Sequence, residues 1–250
     1  MGGRRAAAVA LGGVLLASGA LAGCGPTGAA ADPPSAAAPL PRATPAPADT
    51  AANRVGVLFK GGTRLCTASV VHSPRGNLLV TAAHCVWAGD RPLDGVVFAP
   101  GYRDGDSPYG SWPVTETFVD GHWSRSADPE YDVAFLAVGE EGGKRIEDLL
   151  GGNRLGTGLG FGLEVTVTGY PHEREAPVSC RVRTTAQSTT QERFDCAGYT
   201  EGTSGGPWVT GTGQVVGVIG GYQEGGDTAD TSYSVAFDDR VAELYRRATA

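Results

Sequence analysis

Apolar residues come in short runs along most of this chain, separated by clusters of Gly, Pro and Asp. From Arg54 onward these runs read as strands: 55–59, 67–71, 77–81, 95–98, 114–119, 133–138, 164–169, 180–187, 206–210, 214–220 and 231–236. One run has the helical period instead. Val241, Leu244 and Tyr245 fall on one face, with Asp238 or Asp239 placed to cap the helix. A second, short helix is expected just after His84. No internal repeat of solenoid or propeller spacing is visible. Many short antiparallel strands with few helices predict an all-β domain, built as barrels or a sandwich.

The N-terminal fifth has a different texture. Arg4 and Arg5 precede an apolar, small-residue stretch from Ala6 to Leu21, too short for a membrane span but suited to an export signal. It ends Leu21-Ala22-Gly23-Cys24, which resembles a bacterial lipobox, in which the cysteine is lipidated and becomes the first mature residue. Residues 1–23 are therefore read as a lipoprotein signal, with Cys24 as the membrane attachment point. Residues 24–52 are rich in Ala, Pro and Thr and nearly lack large apolar side chains. They are expected to form a flexible tether, because they bury too little area to offset the entropy of ordering. The folded domain is then expected over residues 53–250.

Composition sharpens this picture. Of 250 residues, 41% are hydrophobic and 19% charged, and the 39 Gly and 16 Pro suit a turn-rich globular domain. The net charge is −7, and Lys60 and Lys144 are the only lysines, so no basic patch for nucleic acid is present. Without Arg4 and Arg5 the charge falls to −9, 18 basic against 27 acidic residues. Attraction to anionic lipid is thereby excluded, and a lipid on Cys24 would have to do the anchoring. The five cysteines, Cys24, Cys66, Cys85, Cys180 and Cys196, include no C-x-x-C pair, and no ligand cluster appears. No metal and no cofactor are expected. Among Cys66, Cys85, Cys180 and Cys196 the sequence alone allows three disulfide pairings.

Three segments carry candidate chemistry: Thr81-Ala82-Ala83-His84-Cys85, Asp132-Val133-Ala134-Phe135-Leu136, and Gly202-Thr203-Ser204-Gly205-Gly206-Pro207. Each alone has a structural reading. Together they supply what nucleophilic acyl transfer needs. A serine hydroxyl is a weak nucleophile at neutral pH and requires a neighbouring neutral imidazole to take its proton. A buried carboxylate fixes the imidazole tautomer and stabilises the imidazolium. Asp132 suits that task at the edge of an apolar strand. Glycines around Ser204 let the backbone turn so that the N–H groups of Gly202 and Ser204 can meet an oxyanion. Gly202-Thr203-Ser204-Gly205-Gly206 also satisfies the G-x-S-x-G pattern of α/β-hydrolases, in which the histidine follows the serine. Here His72, His84, His122 and His172 all precede Ser204, which excludes that fold.

On these three motifs, and on their order His84, Asp132, Ser204, the chain resembles the trypsin/chymotrypsin-like serine proteases over residues 54–249. The resemblance implies two six-stranded antiparallel β-barrels and a C-terminal helix, with the catalytic residues at the barrel junction. It implies that Cys66 pairs with Cys85 and leaves Cys180 to pair with Cys196, each bridge contributing about 3 kcal/mol by loop-closure arithmetic. It also places Gly220, Gly221 and Tyr222 on the edge that pairs with substrate backbone. Two features depart from digestive members of the family. Thr203 replaces the aspartate that receives a new N-terminus, and no Ile-Val-Gly-Gly start precedes strand 55–59. Activity is therefore expected without cleavage inside the domain. Gly198, six before Ser204, is not acidic. Glu201 is expected to face solvent, and Asp227 is a candidate for reaching the specificity pocket. The resulting expectation is a monomeric serine endopeptidase acting on polypeptides at the cell surface. The competing readings are a non-catalytic protease-like binding module and an envelope lipoprotein.

Overall fold

The computed structural model describes residues 39–250. The signal, Cys24 and the first part of the expected tether lie outside the described residues.

Strands β1 (Val55–Lys60), β2 (Thr63–Val71), β3 (Leu78–Thr81), β4 (Val96–Pro100), β5 (Trp112–Val119) and β6 (Ala134–Val138) close into a barrel in the order β1-β2-β3-β6-β5-β4. Closure buries alternate side chains and leaves no free edge. Leu58, Leu79, Phe98, Trp112 and Leu136 fill the interior, all at most 1% exposed.

The second half contributes β7 (Glu164–Gly169), β8 (Val178–Arg183), β9 (Gln191–Asp195), β10 (Pro207–Thr210), β11 (Gln214–Val218) and β12 (Thr231–Val235). The sheet runs β8-β7-β10-β11. Past Thr184, β8 continues as Thr185–Ala186, which pairs with β9, and β9 pairs with β12. Two bonds bring β12 back to the end of β11: Val218 N–H to Ser234 Oγ (3.0 Å) and Gly220 N–H to the Tyr233 carbonyl (2.9 Å). Six strands thus ring a core in which Phe194 meets Trp208 and Tyr199 edge-on, at 5.0 Å each.

Between the barrels lies a third apolar cluster. Val71, Leu78, Val80 and Phe135 from the first barrel pack against Val215, Val218 and Val235 from the second. The C-terminal helix Asp239–Thr249 seals this seam with Val241 and Leu244, and its cap is Asp238, whose side chain accepts from the Arg240 N–H. Both disulfides join the pairs that the family resemblance implied, Cys66–Cys85 and Cys180–Cys196.

Four sequence expectations need correction. First, the folded part begins before residue 53. Of the stretch expected as tether, residues 41–46 lie on the second barrel, and Thr50–Asn53 forms a short helix leading into β1. Thr44–Pro45 pairs antiparallel with β8, and Ala43 N–H donates to the Ala197 carbonyl (2.8 Å). Ala197 N–H donates to the Pro41 carbonyl (2.8 Å), and Ala46 N–H to the Pro177 carbonyl (2.9 Å). Small side chains are what permit this: Ala43 and Ala46 are buried, Ala43 within the apolar cluster of the second barrel, and ladder bonds hold the rest. Second, β9 was not anticipated, because Gln191-Glu192-Arg193 hides its strand character. Third, the run expected to reach Gly220 is a strand only to Val218, and the run 180–187 is broken at Thr184. Fourth, the helix expected after His84 is a single 3-10 turn, Ala83–Cys85, that contains it.

Candidate active site

His84 sits on the 3-10 turn that follows β3. The disulfide at Cys85 ties this turn to β2. Asp132 ends the turn Pro129–Tyr131, two residues before β6. Strands β3 and β6 are paired, Thr81 opposite Ala134, so the barrel itself brings His84 to Asp132. The Asp132 side chain is fully buried and accepts three hydrogen bonds. The His84 backbone N–H reaches Oδ1 (2.9 Å), His84 Nδ1 reaches Oδ2 (2.8 Å), and the Gly221 N–H reaches Oδ2 (2.8 Å). A carboxylate facing Nδ1 places the imidazole proton there and leaves Nε2 as the acceptor.

Ser204 opens onto the same cleft as His84, a cavity of about 590 Å³. No hydrogen bond joins Ser204 Oγ to the imidazole among the described residues, a looseness common in such pairs until substrate tightens them. The loop that carries Ser204 is shaped by glycines no other residue could replace. A Cβ on Gly205 (φ 77°) would lie 2.1 Å from Thr81 Oγ1 and 2.2 Å from the Thr67 carbonyl, and one on Gly202 (φ 93°) would lie 2.3 Å from His172 Cδ2. The Gly205 N–H donates to the Ile219 carbonyl (2.7 Å), the Gly206 N–H to the Thr203 carbonyl (2.9 Å) and the Thr203 N–H to the Thr200 carbonyl (3.2 Å). The N–H groups of Gly202 and Ser204 have no acceptor among the described residues. Two free donors beside a hydroxyl are what an oxyanion site requires.

Several residues missed in the sequence build this arrangement. Thr67, fully buried in β2, donates its N–H to the Ser204 carbonyl (2.8 Å) and its hydroxyl to the Gly202 carbonyl (2.9 Å). The same hydroxyl accepts from the Tyr170 N–H (3.0 Å), and the Thr67 carbonyl accepts from Thr81 Oγ1 (2.8 Å). His172 stands beside Gly202, with Nε2 3.1 Å from the Leu65 carbonyl. Gln191 spans from the Pro129 carbonyl (3.0 Å from Nε2) to the Tyr222 N–H (3.2 Å from Oε1). No local signal singled out Thr67, because β2 also carries Thr63, Arg64 and Ser69.

Gly220, Gly221 and Tyr222, expected on the edge that pairs with substrate backbone, lie just past the end of β11. All three N–H groups are used inside the protein, on the Tyr233 carbonyl, Asp132 and Gln191. Gly220 packs so closely that an added Cβ would lie 2.9 Å from Asp132 Oδ2. The cleft wall is formed by Gln223 to Ala229, which includes Asp227. Glu201 is exposed as expected, yet it lies on the cleft rim. Gly198 stays out of the cleft, packed on Ala43.

Cys66, His84 and Cys85 cluster tightly enough to suggest a metal site, but their chemistry does not fit one. Both sulfurs are committed to the disulfide, so neither can act as a thiolate ligand.

The histidine has a shifted affinity for protons. Burial alone lowers it, but attraction and hydrogen bonding from Asp132, helped by the Glu224 carboxylate, outweigh burial and raise the pKa above the ordinary 6.5.

A family model described as a trypsin-like peptidase domain matches residues 66–218, more than half of the chain. The protease Anisep from Arthrobacter nicotinovorans is similar in structure, with a TM-score of 0.71 at 24% identity over 81% of this chain and 98% of that one. A Glu endopeptidase superposes with a TM-score of 0.69 at 19% identity, over 84% of this chain and 97% of that one. At these identities the likeness concerns the fold. Among curated proteins, an extracellular metalloprotease of Bacillus subtilis (strain 168) is 29% identical over 110 residues. That match covers 44% of this chain and 34% of the relative, so the chain spans about a third of that protein's length.

The charge around His84 is directly testable. An NMR titration of the imidazole should give a midpoint above 6.5. In Glu224→Gln the midpoint should fall, because a carboxylate that favours the imidazolium has been removed. An unchanged midpoint in that variant would show that Glu224 does not act on His84.

Proposed function

The chain belongs to the trypsin-like peptidase family, and on that premise we propose that it is a serine endopeptidase using Ser204, His84 and Asp132, exported and held at the cell surface by a lipid on Cys24. The observation that carries this reading is one arrangement. His84 Nε2, freed as an acceptor by Asp132, shares a cleft with Ser204 beside two unpaired backbone donors.

In the first step Ser204 Oγ attacks the scissile carbonyl carbon while its proton passes to His84 Nε2. The carbonyl oxygen becomes an oxyanion that accepts the N–H groups of Gly202 and Ser204. Collapse breaks the C–N bond, the amine leaves with the proton from Nε2, and an acyl-enzyme remains on Ser204. Water then repeats the sequence and releases the acid. Asp132 keeps the imidazole in the productive tautomer throughout, and the Gly221 N–H holds Asp132 in place. Glu201, Glu224 and Asp227 line the cleft, and among the described residues its walls hold no Lys or Arg. This charge opposes an acidic substrate side chain, so the preference in the name of the similar Glu endopeptidase is not carried over. Cationic segments of polypeptide suit the cleft better.

A fluorophosphonate probe should label Ser204 covalently, and His84→Ala should lower peptide hydrolysis by ~10⁴-fold or more while the protein stays folded. Folded protein that resists labelling, or labelling unaffected by His84→Ala, would leave only a protease-like binding module. In a peptide panel, substrates with Lys or Arg around the bond should be cleaved faster than their Glu or Asp counterparts, and added salt should narrow the gap. A preference for acidic peptides would contradict the charge argument. Mass spectrometry of the mature protein should find Cys24 as its first residue, bearing acyl chains. An unmodified or missing Cys24 would remove the anchor.

A further inference from the structure

A second cavity, of about 270 Å³, lies in the second barrel and shares no residue with the catalytic cleft. Its walls include Leu159, Phe161, Leu163, Val216 and Phe237, and Glu192 of β9 also lines it. Leu159 is 46% and Phe161 38% exposed, so the pocket has an apolar rim in contact with solvent. Glu192 is 2% exposed, and its Oε2 has no hydrogen-bond partner. The other carboxylate of the lining, Asp238, is already paired with Arg240 (2.8 Å). An unpaired carboxylate oxygen in an apolar pocket is costly, and buried polar atoms nearly always have a partner.

From the free oxygen, the apolar walls and the cavity size, we infer that this pocket is a ligand site for a primary ammonium carried on a short apolar chain, with Glu192 as the anionic anchor. An ammonium supplies both the missing donor and the opposite charge, and the attached methylenes or ring cover Leu159 and Phe161. Charge assistance in an apolar pocket gives such a contact more weight than the same pair has in water. Burial pushes the Glu192 carboxyl up to about 7, against a smaller downward effect of the hydrogen bond from Thr184, so the group ionises only near or above that pH, and a cation beside it would favour the ionised form. The chemistry is shared by free alkylamines and by lysine side chains of a polypeptide.

The test is calorimetric titration of the full chain at pH 8 with n-pentylamine, n-pentanol and the blocked peptide acetyl-Ala-Lys-Ala-amide. Pentylamine should bind at least tenfold more tightly than pentanol, and Glu192→Gln should remove that difference. The variant should melt no lower than the parent at pH 8, since the substitution deletes a buried charge. Binding of the peptide as well would identify lysine side chains as ligands. Binding of the amine alone would restrict the site to free amines. Equal binding of amine and alcohol, or amine binding unchanged in a folded Glu192→Gln, would overturn the inference and leave a hydrated carboxyl only. Absence of amine binding up to its solubility limit would overturn it too. Because the readout is binding, the result is independent of whether Ser204 hydrolyses anything.

Discussion

The geometry around Ser204 depends on one buried threonine. Thr67 belongs to the first barrel, yet it bonds Ser204, Gly202 and Tyr170 of the second and Thr81 of its own. Every polar atom of the residue is thus used across or beside the barrel junction. Bonds of this kind contribute about 1 kcal/mol each, but leaving their partners unpaired in the interior costs more, so the set behaves as a single constraint. The apolar seam between the barrels supplies adhesion, which is not directional. Thr67 supplies direction, fixing where the nucleophile loop lies relative to the turn that carries His84. The neighbouring Cys66–Cys85 bridge ties that turn to the same strand, so His84 and Ser204 are both referred to β2.

The nucleophile loop also supports itself from behind. Where digestive proteases of the resembled family place an aspartate that awaits a new N-terminus, Thr203 is buried and donates its hydroxyl to the Thr200 carbonyl (2.7 Å). The adjoining wall is held on two sides. The N–H groups of Gly198 and Tyr199 donate to the Ala229 carbonyl, and the segment at Ala43 braces Ala197 from outside. The Thr203 hydroxyl is thus bonded within its own loop, and the segment around Thr44–Pro45 contributes as an edge strand.

The three candidate motifs could be read in the sequence because chemistry restricts which residue types can serve, and their chain order discriminated between folds. Short apolar runs gave an all-β domain, whose alternation survives in the ladders, and the pairing of two barrels came from the family resemblance. The segment at 41–46 could not be read, because its hold on the barrel comes from backbone bonds and alanine contacts that leave no hydropathy signal. The internal bonds of Gly220, Gly221 and Tyr222 were not legible for another reason. A motif records which residues occur, whereas the use of their N–H groups depends on Gln191 and Asp132, far away in sequence.

Strand β9 shows why such misses gather in particular places. Successive residues of a strand point to opposite faces. Gln191 faces the turn before Asp132 and holds the Tyr222 N–H, while Glu192 lines the second cavity. Both are buried, at 3% and 2% exposed, so this strand carries polar side chains inward on two faces. A rule that equates burial with apolar character reads Gln-Glu-Arg as a loop. Local patterns and tertiary structure agree through most of a foldable chain, and conflicts between them concentrate where polar groups are kept inside to do chemistry. On one face of β9 that chemistry is the positioning of Asp132. On the other it is a buried carboxyl with one oxygen left unpaired.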